Sequence, residues 1–218
     1  MTERSASPTT RLCLVRHGET EWNAARRIQG QTDIDLNACG RRQAEAAGRW
    51  LAVADIDVLY SSDLRRAWQT AQVIGGTLGL APLAEPALRE RRYGVFEGLT
   101  YEELKHDYPA GYAAFVARDP GYDFESGESL KSLYARVTGA VQRIADRHPG
   151  RNVAVVVHGG VLDIVNRFVR GSPLDTPRDF LIPNAGLNWI VCHDGDWSIE
   201  SWGATDHLVP GALDELPS

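Results

Sequence analysis

From Val153 to Val157 every residue is apolar, and four of the five are valine. A run that short and β-branched, without alternation, reads as a strand buried on both faces, which places it inside a parallel sheet covered by helices. It ends at His158-Gly159-Gly160. A second apolar run, Arg11 to Val15, ends at Arg16-His17-Gly18, about 140 positions earlier. Strands of one parallel sheet deliver their carboxyl ends to a common edge, where open α/β sheets bind ligands. The two imidazoles are therefore expected to meet, each followed by glycine, which lets a backbone approach a ligand closely.

Between these anchors the spacing predicts a helix over 36–53 and a short strand at Asp57–Tyr60. A further helix, with Asp63 as N-cap, carries Leu64, Ala67, Ala71, Ile74 and Leu78 at helical spacing and stops at Gly79. Thr100 to Glu103 forms a capping box opening a short helix. Pro109 begins a second one, with Tyr108, Tyr112 and Phe115 on one face, expected to pack on the sheet. A longer amphipathic helix starts at Ser129 and ends at His148-Pro149-Gly150; another spans Val161–Val169, and Leu187–Gly203 reads as a hairpin around Asp194-Gly195. The expected organisation is a disordered tail over 1–10, one domain over 11–208 with a cap insertion at about 93–128, and a C-terminal tail over 209–218.

A chain of 218 residues buries roughly 70–75% of its unfolded surface, so its core needs neither disulfide nor metal. Cys13, Cys39 and Cys192 are an odd number without C-x-x-C spacing, which argues for reduced thiols. The net charge of −6 argues against a nucleic-acid partner. No apolar h-region opens the chain and no 18-residue apolar run occurs, so no membrane partner and a cytoplasmic location are expected. The strand Leu187–Cys192, read as an edge, allows a homodimer paired strand to strand.

Arginine sits where a phosphate would need it. A transferring phosphoryl group spreads charge over three equatorial oxygens, and the planar guanidinium fork matches them better than an ammonium does. Arg16 stands beside His17. Arg65 and Arg66 fall in the first turn of a helix, where the backbone dipole also favours an anion.

The chain resembles the histidine phosphatase superfamily, also called the phosphoglycerate mutase-like family. The resemblance rests on Arg16-His17-Gly18-Glu19-Thr20 with Trp22-Asn23, Gln29-Gly30 with Asp35-Leu36, Ser61-Ser62-Asp63-Leu64 with Arg66-Ala67 and Thr70-Ala71, Leu88-Arg89-Glu90 with Gly94 and Glu97-Gly98, Gly127-Glu128-Ser129, and His158-Gly159-Gly160. It implies an α/β fold, a three-layer α/β/α sandwich with a mostly parallel central sheet and a small helical cap insertion. It implies a catalytic set of His17, Glu90, Arg16, Arg66 and His158: His17 the nucleophile, Glu90 the general acid, and the other three on the phosphoryl oxygens. The Gly18 carbonyl would accept a bond from one His17 nitrogen. Asn23, Gln29, Gly30 and Gly159 complete the substrate site, and Tyr93 and Tyr101 are candidate pocket residues. No metal or cofactor is implied, and the partner is a small phosphorylated metabolite.

The family holds phosphatases and mutases. Between Tyr93 and Glu128 stand eight acidic residues against Lys105 and Arg118, with eight of the chain's eighteen aromatics. An acidic wall repels a polyanion, and a lysine the mutases use corresponds to Tyr101. The expected activity is therefore a metal-independent phosphomonoesterase passing through phosphohistidine. A cofactor-dependent phosphoglycerate mutase and a non-catalytic phosphate-binding module are the alternatives.

Overall fold

The computed structural model describes residues 8–208; the outer part of the expected N-terminal tail, 1–7, and the whole expected C-terminal tail, 209–218, lie outside the described residues. Strands β1 (Thr10–Arg16), β2 (Val58–Ser61), β3 (Leu83–Ala84), β4 (Asn152–Val157), β5 (Leu187–His193) and β6 (Asp196–Ala204) form one sheet. Its order is β3-β2-β4-β1-β5-β6, with the first four paired in parallel and β5 pairing antiparallel to both β1 and β6. β1 starts at Thr10, inside the stretch expected as tail.

The valine run is β4, between β2 and β1, and its alternate residues enter different layers. Val153 and Val155 join Leu12 and Leu14 under α6 (Leu130–Arg147) and α7 (Gly159–Arg170). Ala154 and Val156 join Cys13 and Val15 under α2 (Ala38–Leu51) and α3 (Arg65–Leu78). Two helix layers enclosing one mostly parallel sheet make the three-layer α/β/α sandwich. Among the described residues no helix is long and apolar enough to cross a membrane, and the three cysteines are free thiols.

Three short helices stand over the strand ends: α1 (Glu21–Ala24), α4 (Tyr101–Asp107) and α5 (Pro109–Val116). The last two carry their own core, with Phe96, Leu104, Phe115 and Phe124 packed around Ile28 and rimmed by Tyr108, Tyr112 and Tyr122. The face of Tyr108, Tyr112 and Phe115 thus packs within this cap and not on the sheet. The capping boxes at Thr100 and Thr20 both form.

Two further local expectations differ from the structure. Asp63 does not cap α3; its carboxylate holds the Arg89 guanidinium at 2.7 and 2.6 Å. The N–H of Arg65 instead donates to Asp33 Oδ1 at 2.7 Å, a cap from a distant loop. β5 is not an edge, because β1 and β6 pair with its two sides, so the expected dimer route through it is closed.

Candidate active site

β1 and β4 pair in register, Arg16 against Val157, and the His17 N–H donates to the Val157 carbonyl at 2.9 Å. The rings of His17 and His158 come to 5.2 Å between centroids. His17 Nδ1 lies 2.7 Å from the Gly18 carbonyl oxygen. A carbonyl only accepts, so the proton sits on Nδ1 and Nε2 keeps its lone pair. Arg66 Nε donates toward that nitrogen at 3.3 Å. Burial, then Arg66, then Arg16 hold the His17 pKa well below the ordinary histidine value, so the ring is neutral at pH 7. His158, bonded through Nε2 to Ser62 Oγ at 2.8 Å, is held neutral by the same burial and by Arg66.

The cations are fixed from distant loops. Arg66 is wholly buried, with its terminal nitrogens on the carbonyls of Thr32 (3.0 Å) and Gly30 (2.7 Å). Burial pushes its pKa down to about 10, which leaves it charged at neutral pH. Arg16 donates to the Ile182 carbonyl at 2.6 Å. Among the described residues, its Nε and the Nδ1 of His158 are buried without a hydrogen-bond partner. A buried polar atom without a partner costs about 1–3 kcal/mol; a tetrahedral anion seated on His17 Nε2 would offer both an oxygen.

Glu90 is buried on the other side of the site. Its Oε1 accepts the N–H of Arg91 at 2.6 Å and its Oε2 the N–H of Gly160 at 2.9 Å. Arg136 clamps the same segment, donating to the carbonyls of Ala87, Arg89 and Glu90 while gripping both oxygens of Glu128.

One pocket brings together Arg16, His17, Asn23, Gln29, Gly30, Arg66, Glu90, Tyr93 and Tyr101. Gly30 adopts φ +53°, and a Cβ there would lie 2.2 Å from Glu97 Oε1. Neither Gly159, which opens α7, nor the wholly buried His158 is among the lining residues; Gly160, not one of the expected site residues, is the glycine whose N–H meets Glu90. A Cβ on Gly18 would strike the Gly40 carbonyl at 2.4 Å, so this glycine admits helix α2 and not a ligand. Trp22, Arg26 and Arg27 also line the pocket and were not singled out for it. No local signal marks them, because the fold of the 20–30 segment decides which way they face.

The acidic wall does not exist as such. None of the eight acids of the insert lines the pocket. Glu97 accepts from Gln31 and Thr32, Glu103 caps α4 and pairs with Arg27, and Glu128 holds Arg136. The lining charges are four arginines against Glu90, a field that attracts anions.

Residues 12–205 match the histidine phosphatase superfamily (branch 1). The chain is 42% identical over 201 residues to phosphoglycerate mutase-like protein 4 of Arabidopsis thaliana, covering 90% of this chain and 86% of that protein. It is 40% identical over 205 residues to the metal-independent phosphoserine phosphatase of the same plant, covering 93% and 84%. The solved phosphoserine phosphatase of Entamoeba histolytica, a mutant in complex with phosphoserine, superposes with a TM-score of 0.81 at 30% identity, over 92% of this chain and 100% of that one.

Proposed function

The chain belongs to the histidine phosphatase superfamily, and from that premise we propose that it hydrolyses small phosphomonoesters through a phosphohistidine on His17. The observation that supports this reading is the neutral His17 on the pocket wall, its Nδ1 held on the Gly18 carbonyl so that Nε2 keeps its lone pair beside the Arg66 guanidinium. In the first step Nε2 attacks phosphorus, the bond to the ester oxygen breaks, and Glu90 protonates the leaving alkoxide. Arg16, Arg66 and His158 hold the three equatorial oxygens as charge shifts onto them. In the second step Glu90 takes a proton from water, the oxygen attacks phosphorus, and the P–N bond returns its electron pair to Nε2. Asn23, Gln29 and Gly30 border the phosphate, with Tyr93 and Tyr101 beside the alcohol half.

The physiological substrate is sought first among phosphorylated metabolites of the kind its relatives handle, beginning with phosphoserine. The test is phosphate release from p-nitrophenyl phosphate, phosphoserine and 3-phosphoglycerate in EDTA, with a base-quenched assay for phosphohistidine. Turnover in EDTA with a phosphoenzyme that vanishes in His17→Ala supports the proposal. Undiminished turnover in that variant overturns it. Conversion of 3- to 2-phosphoglycerate without phosphate release would make the chain a mutase, a reading favoured by the first relative's name and by the cationic lining.

A further inference from the structure

Four helices of this fold, α1, α3, α5 and α7, end in the same turn. In each, an N–H reaches back to the carbonyl five residues earlier: Arg27 to Trp22 (2.9 Å), Leu80 to Gly75 (2.9 Å), Asp119 to Ala114 (3.0 Å) and Ser172 to Arg167 (2.9 Å). The residue before that N–H must be left-handed, and glycine is the usual occupant because it has no Cβ to strain. Gly79 (φ +70°) and Gly171 (φ +65°) fill the position in α3 and α7. Helices α1 and α5 carry arginine there instead, Arg26 (φ +53°) and Arg118 (φ +54°). An arginine held left-handed is strained, and such strain concentrates at functional positions.

Arg118 has a visible reason to be there. It is 6% exposed and its guanidinium is ion-paired to Asp163 of α7, fastening the cap to the helix that bears Gly160 and directly follows His158. Arg26 has none within the protein. It lines the pocket at its exposed rim, and among the described residues its side chain makes no hydrogen bond or ion pair. The other three lining arginines are held on carbonyls, and Arg27 also on a carboxylate.

We infer that Arg26 is a specificity residue, which binds a second anionic group on the alcohol half of the substrate while His17, Arg16 and Arg66 hold its phosphoryl group. This deepens the phosphatase reading and rests on it. The substrate class is a phosphomonoester with an anion at its far end, either a carboxylate or a second phosphate. The half-buried aromatic rings of Trp22, Tyr93 and Tyr101 flank the space between.

The test compares wild type with Arg26→Gly and Arg26→Glu on three matched series of three to six carbons: alkyl phosphates, ω-carboxyalkyl phosphates and alkane bisphosphates. Glycine suits the left-handed turn, so Arg26→Gly should fold with an unchanged or higher Tm. The expected result is a wild-type preference, in kcat/KM, for one anion-bearing series over the plain alkyl series. That preference should fall about fivefold in Arg26→Gly, the scale of one solvent-exposed ion pair, and further in Arg26→Glu. It should also shrink as salt is raised. The preferred series tells carboxylate from phosphate. Absence of a preference in wild type, or an equal change on all three series in the variants, overturns the inference while leaving the phosphatase reading intact. Failure of wild type to hydrolyse even the plain alkyl esters would instead sink that reading.

Discussion

Gly160→Ala separates catalysis from folding in a way the structure quantifies. A Cβ at this position would lie 2.3 Å from Glu90 Oε1, with backbone no obstacle among its nearest contacts. Ordinary contact needs about another 1 Å, and the carboxylate, as the end of a side chain, is what gives way. A displacement of about 1 Å at a reacting group costs on the order of 100-fold in rate, within the ~10²–10⁴ that a general acid supplies. Stability barely changes, because alanine gains up to about 1 kcal/mol over glycine in a helix and this offsets part of the disturbed bond to Glu90. The loss must depend on the leaving group. An alkoxide needs the proton, whereas p-nitrophenolate leaves without it, and kcat/KM reports the first chemical step alone when that step is irreversible. The expected result is about a 100-fold fall in kcat/KM for an alkyl phosphate, less than about tenfold for p-nitrophenyl phosphate, and a Tm within a few degrees of wild type. Equal losses on both substrates, or none, would refute the assignment of Glu90 as the acid held by Gly160.

Further expectations follow from the same geometry. His17 and His158 are held well below their ordinary pKa, mainly by burial; below about pH 6.5 the unfolded chain binds two protons that the folded chain refuses. Stability from this source is complete above that pH and lost as pH falls, at up to about 2.7 kcal/mol per unit, and urea titrations should show the slope roughly halved in His158→Gln. Because the nucleophile stays neutral, the acid limb of kcat/KM should not carry an ordinary histidine pKa near 6.5; a limb there that disappears in His158→Gln would contradict this. Arg66→Lys removes a fork anchored on Gly30 and Thr32, and kcat should fall on the order of 100-fold or more while the fold, checked by thermal melting, persists. Gly30→Ala meets both a left-handed φ and the Glu97 carboxylate, so Tm should drop by the equivalent of about 1–3 kcal/mol, together with activity.

What could be read from the sequence was whatever a few neighbouring residues decide among themselves. The valine run of β4, the capping box at Thr100 and the stop at Gly79 are such features, and the structure contains them. The meeting of His17 and His158 was legible for a different reason, since parallel strands share one functional edge. What stayed hidden comes from segments distant in sequence meeting across the fold: Asp33 capping α3, the Ile182 carbonyl holding Arg16, and Gly160 shaping the place of Glu90. The acidic insert shows the limit most clearly. Charge counted along a segment gives its net value, but the field in a pocket depends on which groups face it and which are already bonded. Glu97, Glu103 and Glu128 are each occupied as acceptors for N–H, O–H or guanidinium groups, and Asp107, Asp119, Asp123 and Glu125 are exposed away from the lining. Arg26 and Arg27, nine and ten residues past His17, line the pocket instead. An insert that reads as a barrier to a second anion in the sequence therefore presents none to the substrate in the fold.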